Sequence, residues 1–416
     1  RIVLTSAGVP GLCDSAAAVL ERMGYSDVSI SADGPVAWEA NGFTLYSGIN
    51  VPSKAFGEAV EHHFATPSID PVELKKMQDR GDDLVILDSR TFAEYRNMSI
   101  PGGVSVPGGE LAYRVRDFAP SPETTVIVNC AGRTRSIVGA QSVINSGIPN
   151  RVLALENGTM GWHLAGLKLE HGRTDWYSDG DPSTMEAAET MRARIAQDYG
   201  IPSIDHETLA TWRAQADERT LYLLDVRDPG EYLAGHLPGA RSAPGGQLVQ
   251  ATDFQIGVPS GRVVLIDDTG VRATMTAHWL VQMGYPEVYV LKGGVGPSGD
   301  LESGPELRMA GADVPLISPA ELAARMETDD VFVLDLGKSR LHRKSHVPGA
   351  QWAIRTRIAQ TGPKLPDSGL VVLTSEDDAI ARLAVAETKS LTDAEVVVLA
   401  GGTNAWIDAD MPSEGD

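Results

Sequence analysis

Cysteine is almost missing from this chain: two in 416 residues, Cys13 and Cys130. That scarcity excludes a disulfide framework and a cysteine-rich metal site, and it points to a reducing, cytoplasmic setting. No apolar run approaches the roughly 18 residues that a membrane-spanning helix requires, so no transmembrane span is expected in this sequence. Positive charge is also short. Lys and Arg number 35 against 56 Asp and Glu, a net charge of -21. Nucleic acids and anionic membranes are poor partners for such a surface. An initiator methionine is absent, because the sequence opens Arg1-Ile2-Val3-Leu4.

What is present centres on Cys130. The apolar run Val126-Ile127-Val128 leads through Asn129 to Cys130, and Ala131-Gly132-Arg133-Thr134-Arg135 follows. A helical pattern then runs from Ser136 to Asn145. A thiol between a strand end and a helix start faces backbone N–H groups and the positive end of the helix dipole. Such a setting, with Arg133 and Arg135 beside it, favours the thiolate, which is the nucleophilic form. The two arginines read as a local positive patch that attracts an anion against the global field. The competing reading is a buried structural cysteine, because free Cys is often a core residue.

The neighbouring segments decide between them. Upstream lie Leu84-Val85-Ile86-Leu87-Asp88-Ser89-Arg90, Glu94-Tyr95 and Ile100-Pro101-Gly102-Gly103. Downstream lie Val152-Leu153-Ala154-Leu155 and Gly158-Thr159-Met160-Gly161-Trp162. In order and spacing this set resembles the rhodanese family of sulfurtransferases. Its pattern is a strand ending in Asp-x-Arg, a Glu-Tyr helix start, a Gly-His-Ile-Pro-Gly-Ala turn, a Cys loop and a closing Gly-rich turn with Trp. Ser99 stands where the family has His, which reads as a structural departure. The resemblance implies that Cys130 takes a sulfane sulfur from a donor such as thiosulfate, holds it as a persulfide and passes it to cyanide or a thiol. It also implies that the loop residues Ala131, Gly132, Arg133, Thr134 and Arg135 bind the donor. No metal or other cofactor is called for. Phosphatases on this fold place Arg six residues after Cys, whereas position 136 is Ser and the arginine falls at Arg135. That spacing disfavours phosphatase chemistry. The family's 3-mercaptopyruvate users carry a Cys-Gly-Ser-Gly type of loop, unlike this one.

The pattern recurs, which sets the architecture. Leu221 to Arg227, Glu231-Tyr232 and Gly235-His236-Leu237-Pro238-Gly239-Ala240 form another copy. Val331 to Gly337, His346-Val347-Pro348-Gly349-Ala350 and Gly401-Gly402-Thr403-Asn404-Ala405-Trp406 form a further one. The chain opens with what reads as the back half of a copy: Ile2 to Gly8 as strand and loop, Ser15 to Met23 as helix, and Asp33 to Trp38 as closing turn. Half an α/β unit cannot cover both faces of its strands, so a preceding half is expected to be missing from this sequence. The fold expected is therefore α/β, with tandem rhodanese-like domains, each a parallel sheet flanked by helices. The divisions are 1–50 for the half domain, 51–66 for a linker helix, 67–173 for the catalytic domain and 174–200 for a second linker. Two inactive domains follow at 201–303 and 304–416.

Only one copy keeps the cysteine. Aligning the preceding strands puts Ser6, Asp268 and Ser375 at the Cys130 position, and neither a hydroxyl nor a carboxylate can carry a persulfide. On this alignment the distance to the next helix-end glycine drifts, with Gly147 17 residues after Cys130 and Gly284 16 after Asp268. The drift suits lost function in the inactive copies. By analogy with two-domain relatives, the first and second copies are expected to pair, with Cys130 facing the first, and the last two to form a second pair. Cys13, at a helix start, reads as a packing residue. The partners expected are a small anionic sulfur donor, a thiol or cyanide acceptor, and possibly a protein acceptor. The alternative function is a scaffold that docks a partner through its inactive copies and hands it persulfide from Cys130.

Overall fold

The computed structural model describes residues 2–6, 11–22, 24–43, 45, 49–177, 182–296, 301–304, 314–328 and 330–415. Residues 7–10, on which part of the expected first loop falls, and much of the stretch 297–313 lie outside the described residues. Residues 1–306 and 307–416 form two compact units.

Each whole repeat begins with a short edge strand and a capped helix. Asp70 accepts from the Val72 N–H (2.7 Å), Asp205 from the Thr208 N–H (2.8 Å) and Ser318 from the Glu321 N–H (3.2 Å). These side chains satisfy N–H groups that the helix itself leaves without partners. The apolar runs then become central strands, covered on both faces and so continuously hydrophobic.

In the second repeat the strands are β3 (Ser68–Ile69), β4 (Leu84–Asp88), β5 (Gly103–Ser105), β6 (Thr125–Asn129) and β7 (Val152–Leu155), in the all-parallel order β3-β7-β6-β4-β5. The third repeat has β8 (Ser203–Ile204), β9 (Leu221–Asp225), β10 (Arg241–Ser242), β11 (Arg262–Ile266) and β12 (Val288–Leu291), ordered β8-β12-β11-β9-β10. The fourth has β13 (Leu316–Ile317), β14 (Val331–Asp335), β15 (Gln351–Trp352), β16 (Leu370–Thr374) and β17 (Glu395–Leu399), ordered β13-β17-β16-β14-β15. In the first repeat, β1 (Ile2–Leu4) and β2 (Val28–Ile30) pair in parallel. Among the described residues, no helix is long and apolar enough to cross a membrane.

The second repeat packs against the third, which corrects the expected pairing of the second with the first. Backbones meet at the contact. A Cβ built on Gly246 would lie 2.7 Å from the Gly108 Cα, and one built on Gly109 would lie 3.2 Å from the Gly245 nitrogen. Gly108 and Gly245 both stand twenty residues after the Asp that ends the first long strand of their repeat, Asp88 and Asp225. The contact therefore sets like against like, as in a twofold dimer built from one chain. Trp279 of the third repeat donates to the Ser142 hydroxyl of the second (2.8 Å). Arg272 of the third reaches the buried Glu110 of the second (2.7 Å). The linker helices follow the same symmetry. Val51–Phe64 lies on the helix Thr134–Asn145, and Pro182–Asp198 lies on the helix Val271–Gln282.

Candidate active site

Register locates the counterparts of Cys130. Asp88 pairs with Asn129, Asp225 with Ile266, and Asp335 with Thr374. The next residue in each repeat is Cys130, Asp267 or Ser375. The closing turns agree. A Cβ at Gly158 would meet the Cys130 carbonyl oxygen at 2.1 Å, one at Gly294 the Asp267 oxygen at 1.8 Å, and one at Gly402 the Ser375 oxygen at 2.2 Å. In the first repeat Gly34 stands likewise against the Ser6 oxygen (2.7 Å). The third-repeat counterpart is thus Asp267, not Asp268. The strand ends one residue earlier than two adjacent aspartates suggest. Gly284 then lies 17 residues after Asp267, matching Gly147 after Cys130, so the drift in loop length between these two repeats disappears.

Cys130 is 2 % exposed. The Gly132 N–H donates to its Sγ (3.3 Å), and Sγ donates to the Ser136 hydroxyl (3.6 Å). Ser136 in turn donates to the Arg133 carbonyl (2.7 Å), which fixes the hydroxyl beneath the loop. The loop is pinned from the other side by the closing turn. Thr159 and Met160 donate their N–H groups to the carbonyls of Cys130 (2.8 Å) and Ala131 (3.1 Å). Gly158 has φ +52°, and the close approach to Cys130 leaves no room for a side chain there. Trp162 is core, 1 % exposed, and donates to the Lys168 carbonyl (2.9 Å). The Thr134 side chain packs at Gly57 of the linker helix, where a Cβ would come within 2.8 Å of its methyl.

The arginines do not form an open positive patch, which corrects that expectation. Arg133 donates to Glu58 through Nε (2.7 Å) and Nη2 (3.1 Å), and also to Glu61. Both glutamates lie on the linker helix, more than seventy residues away in sequence, so no local motif announces them. Arg135 makes a two-point contact with Glu94 (2.7 and 2.8 Å). Burial would raise the Glu94 carboxyl, but the hydrogen bonds and charge of Arg135 override it and hold Glu94 at about 2. Glu94 also closes a capping box with Thr91. Beneath the loop Arg90 and Asp88 form a buried pair (2.7 Å), and Asn129 donates to Asp88 (3.1 Å).

The Arg135–Glu94 pair recurs in the third repeat as Arg272–Glu231 (2.6 Å), where no cysteine is present. Arg272 follows Asp267 by five residues, as Arg135 follows Cys130. A pair retained without the nucleophile belongs to the architecture of the loop. In the fourth repeat Leu341 and Ile380 occupy the two positions, and Gly337 replaces the arginine of Asp-x-Arg. There His342 takes over Asp335 (2.8 Å). Ser99, His236 and His346 occupy one common place, each forming an isolated β-bridge with a glutamate late in its repeat (Glu170, Glu302 and Glu414), so the Ser99 departure leaves the backbone bridge intact. Cys13 is a buried helix residue in the first repeat.

The third repeat shows what the loop holds. Asp267 accepts from the N–H groups of Gly270 (2.6 Å), Arg272 (2.9 Å) and Ala273 (3.3 Å). Those donors stand three, five and six residues after the loop's first residue. The same places in the second repeat are Arg133, Arg135 and Ser136.

Tandem parallel α/β repeats, with a cysteine at the head of one N–H-lined loop, define a class of fold and site. The family model for the Rhodanese-like domain matches residues 70–165, 208–296 and 318–409. The chain belongs to the rhodanese-like family. It is similar to the crystal structure of a thiosulfate sulfurtransferase from Pseudomonas aeruginosa, with 45 % identity and a TM-score of 0.86 over 100 % of this chain and 78 % of that one. It is 26 % identical over 90 residues to thiosulfate sulfurtransferase GlpE of Pseudoalteromonas translucida, which covers 21 % of this chain and 83 % of that protein. It is 37 % identical over 89 residues to the uncharacterized protein YqhL of Bacillus subtilis, covering 21 % of this chain and 68 % of that protein.

Proposed function

We propose that the chain is a sulfurtransferase that carries sulfane sulfur on Cys130, with residues 67–173 as the catalytic domain. The Cys130 thiolate attacks the outer sulfur of thiosulfate. An S–S bond forms to Cys130, the sulfur–sulfur bond of thiosulfate breaks, and sulfite leaves with the electron pair. The persulfide anion then gives its outer sulfur to cyanide or a thiolate, which restores the Cys130 thiolate. From the thiolate onward charge balances in both steps and no proton moves; the Sγ proton donated to Ser136 in the resting site leaves before the attack.

The observation that carries this reading is the Asp267 cradle. Its carboxylate oxygens lie as many bonds from Cα as the outer sulfur of a cysteine persulfide does. They accept three loop N–H groups whose counterparts in the second repeat are those of Arg133, Arg135 and Ser136. A negative outer sulfur on Cys130 would have N–H groups at the same three positions to draw on, beside that of Gly132, with the loop turning differently at Arg133 (φ -124°) than at Gly270 (φ +79°). The similarity to two proteins named thiosulfate sulfurtransferase supports thiosulfate as donor. In this reading Ala131 and Gly132 border the sulfur, while Thr134 and Arg135 fix the loop's shape. The compartment is the cytoplasm, and the acceptor is a small thiol or cyanide.

A second reading is persulfide delivery to a docked protein. It is favoured by the burial of Cys130 and by the three repeats without a nucleophile. The test is sulfur transfer from thiosulfate to cyanide by the full chain, with Cys130→Ser as control. Thiocyanate formation that vanishes in the variant, with wild-type Cys130 gaining the mass of one sulfur, is expected. No turnover together with a stable persulfide would favour delivery. An unmodified Cys130 would overturn the thiosulfate assignment.

A further inference from the structure

The carboxylates around the loop mouth have no part in the mechanism above. Arg133 is half exposed, sits three residues from the nucleophile and is held by Glu58 and Glu61 together. The charge of Glu156 also acts on Arg133, and Arg135 is occupied by Glu94. Two guanidinium groups thus face four carboxylates. An incoming anion meets net negative charge and must compete for Arg133 with groups already bound to it.

The third repeat shows that the fold does not impose this. Its linker helix Pro182–Asp198 lies over the corresponding loop helix, yet it presents a cation there. A Cβ on Gly270, the counterpart of Arg133, would lie 3.2 Å from the Arg192 Cδ, and Arg192 pairs within its own helix with Glu189. The linker helix thus sets Glu58 and Glu61 over the loop in the second repeat and Arg192 in the third. The Arg133–Glu58 pair is solvent-exposed and the Glu61 carboxylate is partly so, and exposed pairs contribute little to stability.

We propose that Glu58 and Glu61, acting through Arg133, set the donor selectivity of Cys130 by lowering its affinity for anionic donors in proportion to their charge. The inference rests on the sulfurtransferase reading. Glu58 and Glu61 are positioning residues: they touch Arg133 and not the reacting sulfur. With both neutralised, Arg133 is released to a donor and the mouth loses two negative charges.

The test uses the full chain and two donors that deliver the same sulfur. Thiosulfate is a dianion that releases sulfite, and benzenethiosulfonate is a monoanion that releases benzenesulfinate. In the E58Q/E61Q variant the KM for thiosulfate is expected to fall roughly three- to tenfold, the scale of partly exposed charges a few ångströms from a ligand. The KM for benzenethiosulfonate should fall by about the square root of that factor, because the electrostatic work halves with the charge. The kcat should stay within about twofold, and added salt should shrink the difference between variant and wild type. A merely structural role for the pair would move both donors alike, or move kcat, and would overturn the inference. Unchanged constants in an active variant would overturn it as well, with the sulfurtransferase reading intact. A wild-type chain that transfers sulfur from neither donor would overturn both.

Discussion

Replacing Arg272 by Met tests how the second and third repeats are joined. The Arg272 side chain is 1 % exposed and that of Glu110, across the contact, is 4 % exposed. Arg272 also holds Glu231 (2.6 Å) and Asp268 (2.7 Å), but those carboxylates reach solvent and can be rehydrated. Glu110 cannot. Breaking a buried pair from one side costs about 3–5 kcal/mol. Arg114 still donates to Glu110 (3.3 Å), which puts the expected loss at the lower end, about 3 kcal/mol. The double variant R272M/E110Q removes the stranded carboxylate, and the amide oxygen put in its place can still accept from Arg114, so part of that loss should be recovered. Burial already raises the Glu110 carboxyl, and Arg272 opposes that rise. Without the arginine Glu110 rises further, so the native state binds a proton more readily than the unfolded chain. Stability of R272M then falls as pH rises through that window. The assay is urea unfolding at pH 5 and pH 8, followed by tryptophan fluorescence, to which Trp279 at the contact contributes. A single-variant loss under about 1 kcal/mol, a double variant weaker than the single, or a deficit no smaller at pH 5 would refute the reasoning.

Three further outcomes are expected. Gly158→Ala forces a Cβ to 2.1 Å from the Cys130 carbonyl at φ +52°, so it should cost at least about 2 kcal/mol in denaturant and abolish sulfur transfer. Glu94→Gln should lose about 1 kcal/mol at neutral pH, after allowance for the exposure of Glu94. Because Glu94 is held at about 2, that stabilisation is present above the ordinary carboxylate range and disappears as pH falls through about 2, where wild type and variant should unfold alike. Asp267 is pushed up to about 6, chiefly by burial, so wild-type stability should decline as pH rises from about 4 to about 6. Asp267→Asn should lack that decline in calorimetric scans across this range.

Repetition made the architecture legible. The runs Leu84–Asp88, Leu221–Asp225 and Val331–Asp335 each end on Asp and each became the same strand of a parallel sheet. The head of the third loop was misplaced by one residue, because Asp267 and Asp268 are chemically alike and only pairing with β9 tells them apart. The choice of partner repeat was also out of reach. It depends on glycine backbones at 108–109 and 245–246 meeting across the chain, and glycine pairs occur in many turns. The charge state of the site mouth was hidden for a related reason. Arg133 and Arg135 are visible as a pair in the loop, whereas Glu58, Glu61 and Glu94 arrive from other elements.

The paired arginine and glutamate of the second and third repeats are both gone from the fourth, where Leu341 and Ile380 stand. That joint disappearance carries a consequence for how such repeats diverge over generations. Losing the glutamate alone strands a guanidinium of low exposure, so a lineage that drops it first crosses a less stable intermediate unless both sites change almost together. Among descendants of a common repeat, the two positions should therefore covary as a unit, while the strands around them drift independently. The cysteine is under no such tie: Asp267 fills its place with the pair still standing. Loss of the nucleophile touches one position, whereas dismantling the loop around it takes coordinated changes at several.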